Sequence, residues 1–487
     1  MKFSKILKNT DYTVLNGSTD IEITDIVYDT RKLLKGCVFV CLKGAAVDGH
    51  TFINDAVKGG AAAIVVEDTT DLPQGVTVIK VNSSRKALAF MSAEFFGNPA
   101  NELVTIGLTG TKGKTTTTYM IKSVLESAGK KTGLIGTTGI LIGEEKLPAK
   151  NTTPESYELH KTFREMVNKG CKYVVMEVSS QGLKLHRTDG INFDYGVFTN
   201  LSPDHIGPHE HESFEEYLEC KSLLFRQCKT AVVNADDQYT KAVLKGHTCS
   251  VKTYSAKEKA DLTARNIEFI KDGAKLGMSF SVNGLLNAEC KVYTPGMFSV
   301  YNSLVTILCC VLLNIDTKDI LNGLLLAKVK GRVEPVPCGD DFSVIIDYAH
   351  NEVSTKSVLT TLLEYKPNRL ICVYGGGGNR SRLRRYDMGE VTGAMADLCV
   401  LTEDNPRDED IRSINDDIKI GLAKSNGKYI EIDDRKEAIK YCIQNAQKGD
   451  MIVLLGKGHE TYQERKGKKY HFDEREVVAE IKAELGL

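Results

Sequence analysis

Residues 104–128 read VTIGLTGTKGKTTTTYMIKSVLESA, and the order of what they contain decides the fold. Val104, Thr105 and Ile106 are a β-branched run that predicts a short strand. The strand enters a glycine-rich turn, Thr109-Gly110-Thr111-Lys112-Gly113-Lys114-Thr115. Beyond it Met120, Ile121, Val124 and Leu125 recur at helical spacing, and Gly129 stands where a helix would stop. Strand, glycine loop and helix in this order are the setting of a phosphate-binding loop. Glycines let backbone N–H groups approach a polyphosphate, and the helix N-terminus adds a field that favours negative charge. Gly110, Thr111, Lys112, Gly113, Lys114, Thr115 and Thr116 are therefore the predicted ATP-binding residues. Lys114 would reach the β/γ-phosphates and the Thr115 hydroxyl would sit on Mg2+. The spacing is not the standard G-x-x-x-x-G-K-[ST], because Leu108 stands where the first glycine would be. A bland glycine turn is the competing reading, and the preceding strand argues against it.

Outward from this loop, 487 residues with 42% hydrophobic side chains leave room for about three domains. A net charge of −1 supplies no global field for nucleic acid or an anionic membrane, so any anion site is local. No nucleic-acid partner is expected. The 13 cysteines contain no C-x-x-C pair, and Met1–Thr10 is too short and too charged for a signal segment. Both features predict reduced thiols and a cytoplasmic protein. The most apolar run, residues 304–313, is too short to span a bilayer and predicts a buried helix, so no membrane insertion is expected.

Taken in order, residues 1–100 alternate short strands and helices and predict a small α/β domain closed by the turn Gly97-Asn98-Pro99. Residues 101–330 read as a central domain around the phosphate loop, with mainly parallel strands at 172–176, 195–198 and 230–233. Residues 331–487 predict a Rossmann-like third domain. Its strands at 343–346, 370–374, 398–401 and 451–455 each deliver polar residues at their C-terminal ends. The expected fold class is thus α/β, a P-loop ATPase-like parallel sheet flanked by two further α/β domains.

Two constellations could carry chemistry. Glu177 and His205 follow strands that end beside the phosphate loop, and with Thr115 they are hard ligands suited to Mg2+. A surface carboxylate and a loop histidine are the plainer alternatives for each alone. The second constellation is Arg380, Arg382, Arg384 and Arg385, followed by Asp404-Asn405-Pro406-Arg407. Two arginines of the first cluster read as solvated. Arg407, its approach stiffened by Pro406, could grip a carboxylate while Asp404 takes an ammonium. Together with Glu460 these residues could accept an amino acid with more than one charged end.

These motifs resemble the Mur ligase family. The resemblance runs through Asp29-Thr30-Arg31, Lys43-Gly44, Asp48-Gly49-His50, Thr109–Thr115, Asn151-Thr152-Thr153-Pro154, Glu177-Val178-Ser179-Ser180 and Asp204-His205. It continues through Lys221, Asn234-Ala235-Asp236-Asp237, Gly331-Arg332, Asp347-Tyr348-Ala349-His350, Asp404–Arg407 and Gly456–Glu460, in order along almost the whole chain. It implies a monomeric ATP- and Mg2+-dependent amide ligase of peptidoglycan precursor synthesis, in the branch that adds the third peptide residue to UDP-N-acetylmuramoyl-L-alanyl-D-glutamate. Thr30, Lys43 and His50 would bind the uridine diphosphate end, and Asn151, Thr152, Thr153, Ser179 and Arg187 the muramoyl-peptide. Lys221 matches the family's carbamylated lysine (N6-carboxylysine), and Lys114, Lys221, His205 and Glu177 would be the catalytic residues. Asn302, Arg332, Asp347 and His350 fall at nucleotide contacts, and Arg380, Asp404, Asn405, Pro406, Arg407, Gly456 and Glu460 at the incoming amino acid. The Asp-Asn-Pro-Arg form goes with meso-diaminopimelate, whose second carboxylate a guanidinium can grip and whose counterpart lysine lacks. Lys112, Gln181, Gly207 and Glu352 depart from the family's usual residues.

The implied route is attack of the acceptor's glutamyl carboxylate on the γ-phosphate, then of the amino acid's amine on the acyl phosphate, with His205 or His350 as the base. Lysine or another diamino acid as the substrate, a folylpolyglutamate-synthase-like ligase, and a non-enzymatic nucleotide sensor are the competing readings.

Overall fold

The computed structural model describes all residues except 45, 46, 69–72, 205, 208, 209, 273 and 274. His205, expected at the metal, lies outside the described residues. The chain forms two compact units, Met1–Asp261 with Val305–Asp316, and Leu262–Leu304 with Thr317–Leu487.

Unit 1 opens with a five-stranded sheet in the order Thr13–Asn16, Thr77–Lys80, Ala63–Val66, Val38–Val40, Ile26–Val27. Its first pair is antiparallel and the rest parallel. The helix Ser84–Phe95 buries Ala87, Leu88 and Met91 against one face. Its N-cap is Ser83, which accepts a hydrogen bond from the Lys86 amide.

The larger sheet of unit 1 runs Ser250–Ser255, Cys228–Asn234, Phe193–Phe198, Val104–Thr109, Tyr173–Glu177, Thr132–Gly136, Gly139–Ile142, Glu145–Leu147. The first six are parallel, and the last two fold back as antiparallel strands. Val104–Thr109 is buried on both faces, which suits its β-branched and aliphatic sequence. Strands are added to one side of it through Thr132–Gly136 and to the other through Phe193–Phe198. It therefore stands at the point where the winding reverses, and open α/β sheets bind ligands there.

Unit 2 begins with three antiparallel strands, Leu262–Asp272, Lys275–Gly284 and Ala288–Val292. These depart from the mainly parallel expectation for residues 101–330. Their register shifts at a bulge between Arg265 and Glu268, where Asn266 takes φ 51°, a conformation asparagine tolerates. The run read as a buried helix is Met297–Leu312. The second sheet of unit 2 has six strands in the order Glu334–Val336, Ser343–Asp347, Met451–Leu455, Leu370–Tyr374, Leu398–Leu401, Tyr429–Glu431. All are parallel except the first, and a separate apolar core packs on each face. Four strand ends, at Asp347, Tyr374, Leu401 and Leu455, thus open on one edge. Beyond them a hairpin, Tyr462–Arg465 with Lys468–His471, has no counterpart in the sequence reading.

Candidate active site

In unit 1 the loop after Val104–Thr109 folds as a tight glycine turn at the start of a helix. Gly110 has φ 143° and Gly113 φ 90°, and Gly113 is the N-cap of the helix Lys114–Ser127. Glycine is required at 110: a Cβ there would run into Thr199 Oγ1 and stand 3.0 Å from the Asn200 carbonyl. The loop is buttressed from the next strand's end. Thr111 N–H donates to the Asn200 carbonyl at 2.9 Å, and the Thr199 hydroxyl donates to the Lys112 carbonyl at 2.7 Å. Lys112 reaches Asp204 at 3.2 Å.

Lys114 Nζ donates to the carbonyls of Gly110 at 2.8 Å and Thr111 at 3.2 Å. Lys221, on the helix Phe214–Ser222, donates to the same Gly110 carbonyl at 3.0 Å and sits 4.4 Å above the Tyr217 ring. It is 1% exposed. Burial holds its amine well below the usual lysine range, and the Lys114 charge pushes the same way. Thr115 Oγ1 donates to Glu177 Oε1 at 2.9 Å, and both residues are buried. Thr137 N–H and hydroxyl complete the Glu177 carboxylate at 3.0 and 3.2 Å. A hydroxyl and a carboxylate held together beside a phosphate loop are the hard oxygen donors that Mg2+ takes, so these residues fit that ion.

Next to Glu177 the acceptor-side candidates gather. The Thr153 hydroxyl donates to the Glu177 carbonyl at 2.9 Å and accepts from Ser179 N–H at 2.9 Å, and Thr152 meets Thr137 at 3.0 Å. Arg187 binds the Thr153 carbonyl at 3.1 Å and Glu155 at 2.6 Å. Glu155 also pairs with Arg85 at 3.3 Å, which in turn reaches the Lys43 carbonyl at 3.4 Å. This relay, through residues the motif reading passed over, joins Arg187 to the Lys43 segment. His50 is anchored by Asp48 at 2.6 Å and accepts from Glu67 N–H at 2.9 Å. Thr30 begins a short helical turn capped by Asp29, and Asn151 is exposed.

In unit 2 the strand ends enclose a cavity of ≈190 Å³, whose walls include Tyr348, His350, Arg380, Asp404, Asn405, Arg407, Gly456 and Glu460. The glycine run is what lets its rim close. A Cβ on Gly375 would collide with the Thr402 carbonyl, and one on Gly378 with the Pro406 carbonyl. Arg407 takes φ 52°, a left-handed conformation that costs a non-glycine residue about 1 kcal/mol or more. Its N–H donates to the Glu464 carbonyl at 3.0 Å, its Nη1 to the Gly378 carbonyl at 2.7 Å, and its Nε meets Glu464 Oε2 at 3.2 Å. Glu464 belongs to the hairpin, which is therefore part of the site. Asn405 Nδ2 donates to Glu460 Oε2 at 2.9 Å. Burial raises the Glu460 carboxyl, against the opposing charge of Lys457. Of the arginine cluster, Arg385 is buried on Asp417 at 2.9 Å and Glu409 at 2.8 Å, whereas Arg382 and Arg384 are exposed.

Among the expected nucleotide contacts in unit 2, Asp347 is buried and accepts from Val333 and Ala349 N–H at 2.7 Å each; burial raises its carboxyl. The Arg332 guanidinium lies 5.2 Å over the Tyr348 ring, and His350 Nδ1 is 2.8 Å from the Tyr348 carbonyl. Asn302 is buried on its helix.

Three family descriptions match the chain: the Mur ligase family catalytic domain over residues 22–96, the Mur ligase middle domain over 108–310, and the Mur ligase glutamate ligase domain over 331–458. The UDP-N-acetylmuramoyl-L-alanyl-D-glutamate--2,6-diaminopimelate ligase of Caldanaerobacter subterraneus is 43% identical over 486 residues, 99% of each chain. The enzyme of the same name from Clostridium tetani is 44% identical over the whole of both chains. A solved structure of a protein of that name superposes with TM-score 0.75 at 27% identity, covering 100% of this chain and 99% of that one.

Proposed function

The chain belongs to the Mur ligase family, and from that premise we propose that it joins diaminopimelate to UDP-N-acetylmuramoyl-L-alanyl-D-glutamate at the expense of ATP. The likeness to ligases of that name over the full chain supports the reaction. The observation that carries the choice of amino acid is the unit 2 cavity, where Arg407 stands with Asp404, Asn405 and Glu460. A guanidinium and carboxylates in one small cavity complement a molecule with both carboxylate and ammonium ends.

The chemistry proceeds in two transfers. The acceptor's glutamyl carboxylate oxygen attacks the γ-phosphorus, the bond to ADP breaks, and an acyl phosphate forms. The amine of the amino acid then attacks the acyl carbon, loses a proton, and expels phosphate as the amide forms. Lys114 leaves its carbonyl partners for the phosphates, and the amides at the start of Lys114–Ser127 face the same charge. Thr115 and Glu177 would hold Mg2+, which supplies neutralisation of the phosphate charge when bound. Thr153, Ser179 and Arg187 orient the acceptor beside Glu177. Burial lowers the basicity of Lys221 and so favours its neutral amine, the form that adds carbon dioxide. In that addition the amine nitrogen bonds to carbon, one C=O π bond opens onto oxygen, the nitrogen loses a proton, and the amine becomes a carboxylate-like carbamate. We assign the protein to the cytoplasm as a monomer that takes only small-molecule substrates.

Phosphate release by the purified protein tests the reading. It should require ATP, the UDP-muramoyl-dipeptide and an amino acid together, and diaminopimelate should outperform lysine and lanthionine. Release that ignores the amino acid would refute ligation, and a preference for lysine would refute the assignment of substrate.

A further inference from the structure

Behind the wall of the unit 2 cavity lies a side chain that does not line it. Lys457, between Gly456 and Gly458, has a side chain wholly shielded from solvent. Its Nζ donates to Asn405 Oδ1 at 3.1 Å and is 3.6 Å from both Asp404 Oδ1 and Glu460 Oε2. Burying an ammonium forfeits hydration and rotamer freedom, so its three partners must hold it in place. Those partners are three of the polar groups that face the cavity.

Asn405 shows what the lysine does. A carboxamide can turn over with almost no change of shape, because its two ends differ only in donating or accepting. Here Oδ1 accepts twice, from Lys457 and from the Glu464 backbone N–H at 2.9 Å. Nδ2 is thereby directed to Glu460 Oε2 at 2.9 Å. If the amide turned over, its NH2 would face an ammonium and a backbone N–H, with no acceptor on either side. Asp404 and Glu460 also share this one nearby ammonium, which reduces their mutual repulsion.

We propose that Lys457 is a positioning residue for the incoming amino acid: without touching the substrate, it locks the Asn405 amide in one orientation and screens the Asp404–Glu460 pair. The cavity then presents carboxylates at fixed places to an ammonium, with Arg407 left for a carboxylate. Removing the lysine takes away one of the two donors that fix Oδ1, leaving the Glu464 N–H alone, and removes the ammonium shared by Asp404 and Glu460. Burial already raises the Glu460 carboxyl, so that loss would also make it easier to protonate and weaken its hold on an ammonium.

The inference rests on the ligase reading above, and steady-state kinetics on the full chain separate the two. Lys457→Met, Lys457→Gln, Asn405→Ala and the double variant Lys457→Met/Asn405→Ala are compared, varying diaminopimelate, ATP and acceptor in turn. Lys457→Met should raise the KM for diaminopimelate about tenfold or more and leave the other two unchanged. Lys457→Gln, which keeps an N–H for Asn405, should recover part of the loss. The double variant should be worse than Asn405→Ala by less than the loss Lys457→Met causes alone, because part of the lysine's effect passes through that amide. Equal rises in all three KM values, a fall in kcat alone, or fully additive losses would overturn the proposal. Should Lys457→Met melt below the assay temperature, the KM pattern of Lys457→Gln decides. Wild-type protein that spends ATP without an amino acid removes the ligase reading itself. Wild-type dependence with unaffected Lys457 variants removes only the positioning role.

Discussion

On the proposed reading, Arg407 is the residue on which the choice of amino acid turns. Its left-handed backbone is held by the Glu464 and Gly378 contacts, and strain kept in place by several bonds is a mark of a functional position. Arg407→Ala should raise the KM for diaminopimelate about 10- to 100-fold and leave that for ATP unchanged, as competing titrations of the two substrates will show. Lys221 is the opposite case, a residue that costs stability. Its amine is lowered from 10.5, so between the lowered value and 10.5 the unfolded chain holds a proton that the folded chain lacks. Stability therefore rises with pH across that window. Without nucleotide, Lys221→Met should be more stable than the wild type at neutral pH, and the gap should close as the pH approaches 10.5. An equal gap at all pH values would refute this account. That Thr115 and Glu177 come together was legible in the sequence, because a strand end and a loop that the pattern predicts place them side by side. Lys457 was not, since one lysine in a glycine-rich turn reads as solvated until its burial is seen.

At the scale of elements, the strand–loop–helix of residues 104–127 and the parallel strands of the third domain were legible, because β-branched runs and helical spacing are local signals. Leu370–Tyr374, Leu398–Leu401 and Met451–Leu455 occupy the spans the pattern marks. The hairpin Tyr462–Arg465 with Lys468–His471 was missed: its sequence is polar on both faces, and it is held by the Asp404–Arg407 segment rather than by a core. The Arg385 role was hidden for a related reason, since its partners Glu409 and Asp417 lie on another segment. Gly378 tests whether close approach of two loops makes the amino-acid site. In Gly378→Ala the added methyl meets the Pro406 carbonyl. The expected result is a loss of about 1–3 kcal/mol in thermal unfolding, together with a raised KM for the amino acid. A variant that melts normally and binds normally would show that the loops have room.

Across the whole molecule, all 13 cysteines are free and buried. Burial raises most of these thiols, which slows their reaction further. A chromogenic disulfide should therefore titrate about none of them in native protein and 13 in denaturant, and the labelling rate should report global opening. Fast labelling of several thiols in the native state would mean that part of a core opens without global unfolding. No helix among the described residues is long and apolar enough to cross a membrane. The three-domain α/β organisation is carried by separate sheets with separate cores, so each stretch of sequence could be read for its own fold.

The Gly110 carbonyl accepts from Lys114 and Lys221 at once. The turn is thus held in shape by two lysines, and the groups around it are amides, amines, hydroxyls and one carboxylate, none of them suited to a base. Such a seat reads charge and chain length, not a heterocycle. Guanosine triphosphate, or bare tripolyphosphate, should rest in it about as readily as ATP. Loyalty to adenine must then be enforced by side chains remote from the glycines, and a polyphosphate mimic aimed at this loop would gain grip without gaining selectivity.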